Sequence, residues 1–187
     1  ARALSVGAKH HFFGYYGVDA WDPSLQSHLA LETDFDDHRP EVGDVAQVGL
    51  VDRKTGAFKA YAQTSAFNLQ QGSMMHWIDA GFGTEFTFND WDEGELVSRT
   101  LNPETGNVRT LERAVAAISS VAPVGIGLNF ARMAHCRAVV GYANEWGEKA
   151  WMDRPEDDGL FLIDFVTGKS QLLLSIADVI AANPCEE

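Results

Sequence analysis

Three short stretches of this chain carry side chains able to do chemistry. The first is Lys9-His10-His11-Phe12-Phe13-Gly14-Tyr15-Tyr16-Gly17, followed by Trp21-Asp22-Pro23-Ser24. A neutral imidazole from His10 or His11 can serve as general base or metal ligand, and Tyr15 can donate a proton. Strand alternation sends His10 and His11 to opposite sides, so both face one pocket only if Gly14 and Gly17 let the backbone bend. An aromatic-rich strand with surface histidines accounts for the same residues equally well. The second stretch is Asn68-Leu69-Gln70-Gln71-Gly72-Ser73-Met74-Met75-His76-Trp77. Gln70 and Gln71 ahead of a buried strand are costly unless they bond a ligand or a neighbouring backbone. His76 reads as a satisfied core histidine in preference to a ligand. The third runs Asn129-Phe130-Ala131-Arg132-Met133-Ala134-His135-Cys136-Arg137 and on to Gly141-Tyr142-Ala143. Arg132 and Arg137 can hold a carboxylate bidentately, with Tyr142 beside it as a substrate-binding group. Neutralising a sugar acid's carboxylate acidifies the adjacent C–H, which eliminative cleavage needs. Pro155-Glu156-Asp157-Asp158 offers the same arginines a purely structural partner.

These groups need a scaffold, and a phrase repeated three times describes it. An apolar run, Asp or Asn, two residues, Thr and Gly recur as Leu50-Val51-Asp52-Arg53-Lys54-Thr55-Gly56, Leu101-Asn102-Pro103-Glu104-Thr105-Gly106 and Leu162-Ile163-Asp164-Phe165-Val166-Thr167-Gly168. Each glycine is followed by another β-prone stretch, so each copy reads as a hairpin with glycine at positive φ. Glycines about 50 and 62 residues apart have the spacing of propeller blades. The expected fold is all-β: a partial β-propeller over residues 1–187, with four-stranded antiparallel blades at about 10–64, 65–113 and 114–175. First strands are expected near Phe12 to Val18, Ser73 to Ile78 and Ala116 to Ser119, and another strand over Gly125 to Phe130. Thr33 to Asp44 and Arg132 to Asp158 read as long inserted loops, and such loops are often functional. Ser175 to Ala182 reads as a short helix that stops at Pro184.

Composition narrows the partners. The 187 residues suffice for one domain, and 45% apolar with 22% charged residues is ordinary for a globular chain. A net charge of −13 argues against nucleic acid and against an anionic membrane surface. Ser119, Ser120, Pro123 and Asn129 interrupt the longest apolar segment, so no membrane span is expected. Cys136 and Cys185 are too few for a disulfide framework and leave one bridge or two thiols open. The opening Ala1-Arg2-Ala3 lacks methionine, which is compatible with a removed leader and a periplasmic or extracellular location. There is no Gly-x-Ser-x-Gly, phosphate-binding glycine loop, dinucleotide fingerprint, His-Glu-x-x-His or Cys-x-x-Cys. Three blades do not close a ring, so either further blades, the favoured reading, or self-association must complete it.

Taken together, His10-His11-Phe12-Phe13-Gly14-Tyr15-Tyr16, Trp21-Asp22-Pro23-Ser24, Gln70-Gln71-Gly72-Ser73-Met74, Leu128-Asn129-Phe130-Ala131-Arg132 and Pro155-Glu156-Asp157-Asp158-Gly159 resemble a group of bacterial propeller proteins distantly similar to oligogalacturonate lyases. The resemblance implies a seven-bladed ring whose funnel binds a saccharide. It further implies a divalent metal, manganese or calcium, held by His and Gln, and eliminative cleavage of uronate glycosides. Carried onto this chain, that assigns His10, His11 and Gln71 to the metal, Gln70 and Gln71 to substrate, and Arg132 to the carboxylate. The alternative is a non-catalytic propeller that binds a protein or glycan through the same face.

Overall fold

A computed structural model describes residues 3–15, 17–78, 85–143 and 156–184; Tyr16, Pro155 and Cys185 lie outside them. Twelve strands form three separate four-stranded sheets. The first holds β1 (His10–Phe12), β2 (Ser27–Thr33), β3 (Ala46–Asp52) and β4 (Phe58–Thr64). The second holds β5 (His76–Trp77), β6 (Phe86–Asp92), β7 (Glu95–Leu101) and β8 (Val108–Leu111). The third holds β9 (Val115–Ile118), β10 (Val124–Gly127), β11 (Gly159–Asp164) and β12 (Ser170–Ser175). Each is an antiparallel meander whose strands pair in chain order. The three sheets span His10–Thr64, His76–Leu111 and Val115–Ser175, and no sheet closes on itself among the described residues.

The repeated phrase forms the hairpin between the third and fourth strand of every sheet. Asp52 Oδ1 accepts the N–H groups of Lys54 and Thr55 at 3.1 and 2.7 Å. Asn102 Oδ1 accepts those of Glu104 and Thr105 at 2.9 and 3.0 Å, and Asp164 Oδ1 those of Val166 and Thr167 at 2.7 and 3.0 Å. The side chain thus satisfies turn amides that the ladder cannot reach. Gly56, Gly106 and Gly168 share φ +75°, which disfavours any residue with a Cβ. A second repeat has no sequence signature. The N–H of Val6 donates to Gly56 O at 3.0 Å and that of Glu112 to Gly168 O at 2.9 Å, tying the chain entering the first and third sheets to that sheet's last hairpin.

Alternation decides which faces meet. Leu29 and Leu31 of β2 and Ala46, Val48 and Leu50 of β3 turn toward Phe67, Met75, Trp77, Phe86, Phe88 and Leu101, filling the layer between the first two sheets. Ile78, Leu111, Val115, Ile163 and Phe165 fill the layer between the second and third. Each such side chain contributes about 1.5–3 kcal/mol on burial. The third sheet's other face is uncovered: Leu160 and Leu174 oppose one another across β11 and β12 and remain 37% and 40% exposed.

Four expectations change. The first strand ends at Phe12, and Gly17 beyond it takes φ +91°. The strand expected over Ser73 to Ile78 shrinks to His76–Trp77, because Met74 sits at φ +51°, a conformation no strand can hold. β10 stops at Gly127, and the loop expected from Arg132 begins inside a helix, α1 (Phe130–Cys136), whose N-cap Asn129 accepts the N–H of Arg132 at 3.0 Å. The tail helix is present as α2 (Ile176–Ala182), closed at its start by the reciprocal Ser175–Asp178 capping box.

Candidate functional site

The connections β2–β3, β4–β5 and β10–β11 meet around a cleft of 540 Å³. Its floor is apolar, with Phe67, Val139 and Tyr142, and its rim carries Arg39, Gln70 and His135. The Gln70 wall is set by Asn68, whose Oδ1 accepts the N–H groups of Gln70 and Gln71 at 3.0 and 2.7 Å. Asn68 also exchanges backbone bonds with Gly72 at 3.1 and 2.9 Å and donates Nδ2 to Val140 O at 3.1 Å. One buried amide thereby pins the turn that presents Gln70 and ties it to the chain beyond α1. Gly72 permits the arrangement: at φ +61°, a Cβ there would lie 2.1 Å from Phe13 O. The histidine-aromatic and glutamine stretches are therefore in direct backbone contact.

Arg39 is the unexpected member. It is exposed at the cleft and has no ion-pair partner among the described residues. Its loop is acidic, but other bases engage several of those acids: Lys9 pairs with Asp34 at 2.8 Å, His10 with Asp36 at 3.0 Å and His38 with Asp37 at 2.8 Å.

The remaining sequence candidates are spread more widely. His11 Nε2 meets Glu32 Oε2 at 2.9 Å on a side chain 8% exposed, and its ring packs 5.1 Å from that of Phe58. His10 points to the other side of β1, toward Asp36, as alternation requires. Neither lines the cleft, and Tyr15 and Gln71 do not line it either. The metal donor set assigned to His10, His11 and Gln71 does not fit one ion, because the two imidazoles diverge and each faces its own carboxylate. Among the described residues no group of three or more His, Cys, Asp or Glu could hold one. Arg132 does not reach the cleft. Its Nε donates to Asp158 Oδ2 at 3.1 Å, beside Asn129 Nδ2 at 2.6 Å on the same oxygen, so it takes the structural partner that its neighbourhood offered. Arg137 is exposed at the C-cap of α1.

Tyr142 lines the cleft as a wall. It is 2% exposed and stacks on Phe130 at 5.0 Å and 8°. Its Oη accepts from Asn89 Nδ2 at 2.9 Å, and burial pushes its ionisation well above the ordinary tyrosine range, so it remains a neutral phenol. Asn89 itself is a hub. It is fully buried; Nδ2 also donates to Val115 O at 3.0 Å, Oδ1 accepts Val115 N–H at 2.8 Å and the Ser98 hydroxyl, and its carbonyl accepts Thr64 Oγ1 at 2.8 Å. All three sheets meet on this one residue. Sequence reasoning missed Arg39, Asn89 and the state of His76, whose burial was expected but whose Nε2 has no partner among the described residues.

Comparison of the chain with protein-family models, with curated proteins and with solved structures returned no match.

Proposed function

We propose that this chain is part of a β-propeller that binds an acidic saccharide in the Arg39–Gln70 cleft. The observation that carries the reading is an arginine with no ion-pair partner among the described residues, beside a glutamine in a chain of net charge −13. A uronate offers two matching features: a carboxylate for the guanidinium and hydroxyls for the Gln70 amide. The exposed pair Leu160 and Leu174 supports the ring, since a fourth four-stranded sheet would cover them as the second sheet covers Leu29 and Leu31.

Titration calorimetry of the chain with galacturonate oligomers and with neutral galactose oligomers of equal length tests the reading. Heat from the uronate alone, abolished by Arg39→Ala, is the expected result. Equal binding of the neutral sugar, or none by either, would sink it. Eliminative cleavage is the second reading, favoured by His135 standing in the same cleft as Arg39. It requires a base near the acidified C–H. Ultraviolet absorbance of an unsaturated uronide, followed with and without manganese or calcium, separates it from simple binding.

A further inference from the structure

Two walls of the Arg39–Gln70 cleft come from distant parts of the chain, and one side chain joins them. The first wall is the β4–β5 turn, with Leu69 and Gln70; the second is α1 and the chain after it, with His135, Val139 and Tyr142. The second wall is packed onto its helix. Gly141 lies so close to α1 that a Cβ on it would overlap Ala134, and Tyr142 stacks on Phe130. At its start α1 is pinned by Asn129 and Arg132, both bonded to Asp158. Beyond its end, Asn68 Nδ2 donates to Val140 O at 3.1 Å across 72 residues of sequence, and this bond holds the second wall against the first.

The chemistry of the position calls for asparagine. A local turn needs only an acceptor: Asp52, Asn102 and Asp164 each hold their hairpins with one oxygen. Asn68 does the same with Oδ1, which accepts the N–H groups of Gln70 and Gln71, but its other arm crosses to Val140. The side chain is 4% exposed, so a lost partner is not replaced by bulk water. An ionised aspartate has no proton for Val140 O, and a serine hydroxyl serves the nearby amides but is too short for the crossing. Glutamine carries an extra methylene that displaces both arms. No Asp or Glu lines the cleft among the described residues, so a carboxylate here would also repel an acidic ligand.

We propose that Asn68 is the positioning residue of this cleft: its bond to Val140 fixes the separation between the Gln70 wall and the His135 wall, and ligand affinity depends on that separation. The inference rests on the saccharide reading of the cleft. Asn68→Ser divides the two arms, because the hydroxyl still accepts the Gln70 and Gln71 amides and adds no charge, yet does not reach Val140. The test combines hydrogen exchange with titration calorimetry on the whole chain, well below its unfolding temperature. In Asn68→Ser the Val140 N–H, which donates to Arg137 O at 3.1 Å, should exchange about tenfold faster, while the Gln70 and Gln71 amides change little. Trigalacturonate should bind the folded variant about tenfold more weakly. Asn68→Ala, which removes both arms, should weaken it further and speed exchange at Gln70 and Gln71 as well. A purely structural clasp would lower the unfolding temperature and leave the affinity of the folded chain unchanged. That result, or unaltered exchange at Val140, would overturn the inference and spare the saccharide reading. An unaltered chain that binds no trigalacturonate would overturn both.

Discussion

The two clefts are built on the same three sheets and differ in where their polar groups stand. In the Arg39–Gln70 cleft the binding groups ring an apolar floor, while buried Asn68 is fully used in holding the loop. Beside the other cleft, of 820 Å³, His76 is buried, and its Nε2 has no hydrogen-bond partner among the described residues. A rim arginine is hydrated in the free protein and weighs little on folding. A buried unpaired nitrogen costs about 1–3 kcal/mol. One cleft therefore keeps its polar rim apart from the groups that hold the fold, and the other carries a cost to folding in its wall.

Asn89 offers the strongest way to break that contrast, because it serves both clefts. Its amide fixes Val115 at the start of β9, which lines the His76 cleft, and Tyr142, a wall of the other. Asn89→Ala leaves several buried partners unsatisfied and should cost about 4 kcal/mol in urea unfolding, with uronate binding lost as Tyr142 loses its anchor. Uronate binding that survives would show that the hub does not hold that cleft.

The next effect isolates the buried imidazole. His76 has its folded-state pKa lowered by desolvation to about 4, against an ordinary value of 6.5. The unfolded chain therefore binds the extra proton first, and stability present above pH 6.5 is lost as pH falls toward 4. Over that window the loss is about 3 kcal/mol. His76→Phe should abolish this part of the pH dependence and raise stability at pH 7 by about 1 kcal/mol. Parallel pH profiles for the two proteins would dissociate the imidazole from the acid loss.

How much of this the sequence disclosed depends on the range of the interaction. The Asp/Asn-x-x-Thr-Gly hairpins and the Ser175 cap are legible because their chemistry closes within a few residues. Helix α1 was hidden, although Asn129 is a good cap, because Gly125 to Phe130 also continues an apolar strand pattern. The first strands came out shorter than expected because Met74 and Gly17 adopt positive φ, set by contacts distant in sequence. At the site, Gln70 and Tyr142 do reach one cleft. Arg132 had a choice between a ligand and Asp158, 26 residues on, which spacing alone does not decide. Arg39 lies in the inserted loop already marked as functional, but its freedom depends on Lys9, His10 and His38 engaging nearby acids. That His76 is buried was readable; that nothing pairs with it was not, since pairing is a property of the whole fold.

Gly72→Ala sharpens the comparison at one side only. A Cβ at φ +61° and 2.1 Å from Phe13 O forces the Gln70–Gln71 turn away from β1. The expected cost is about 2 kcal/mol in thermal or urea unfolding. Uronate binding should fall with it, while the His76 part of the pH dependence of stability persists.

The smallest stability effect makes the sharpest distinction. Arg39 is exposed and has no ion-pair partner among the described residues, so Arg39→Ala should move unfolding by less than about 0.5 kcal/mol. If the guanidinium holds a carboxylate in two parallel hydrogen bonds, the same change should weaken uronate binding at least tenfold, and Arg39→Lys should recover only part of it, since an ammonium lacks the planar fork. A melting temperature that drops in step with the lost binding would mean that Arg39 supports its loop instead. The two clefts would then share one logic, with groups in their walls that bear on the stability of the fold.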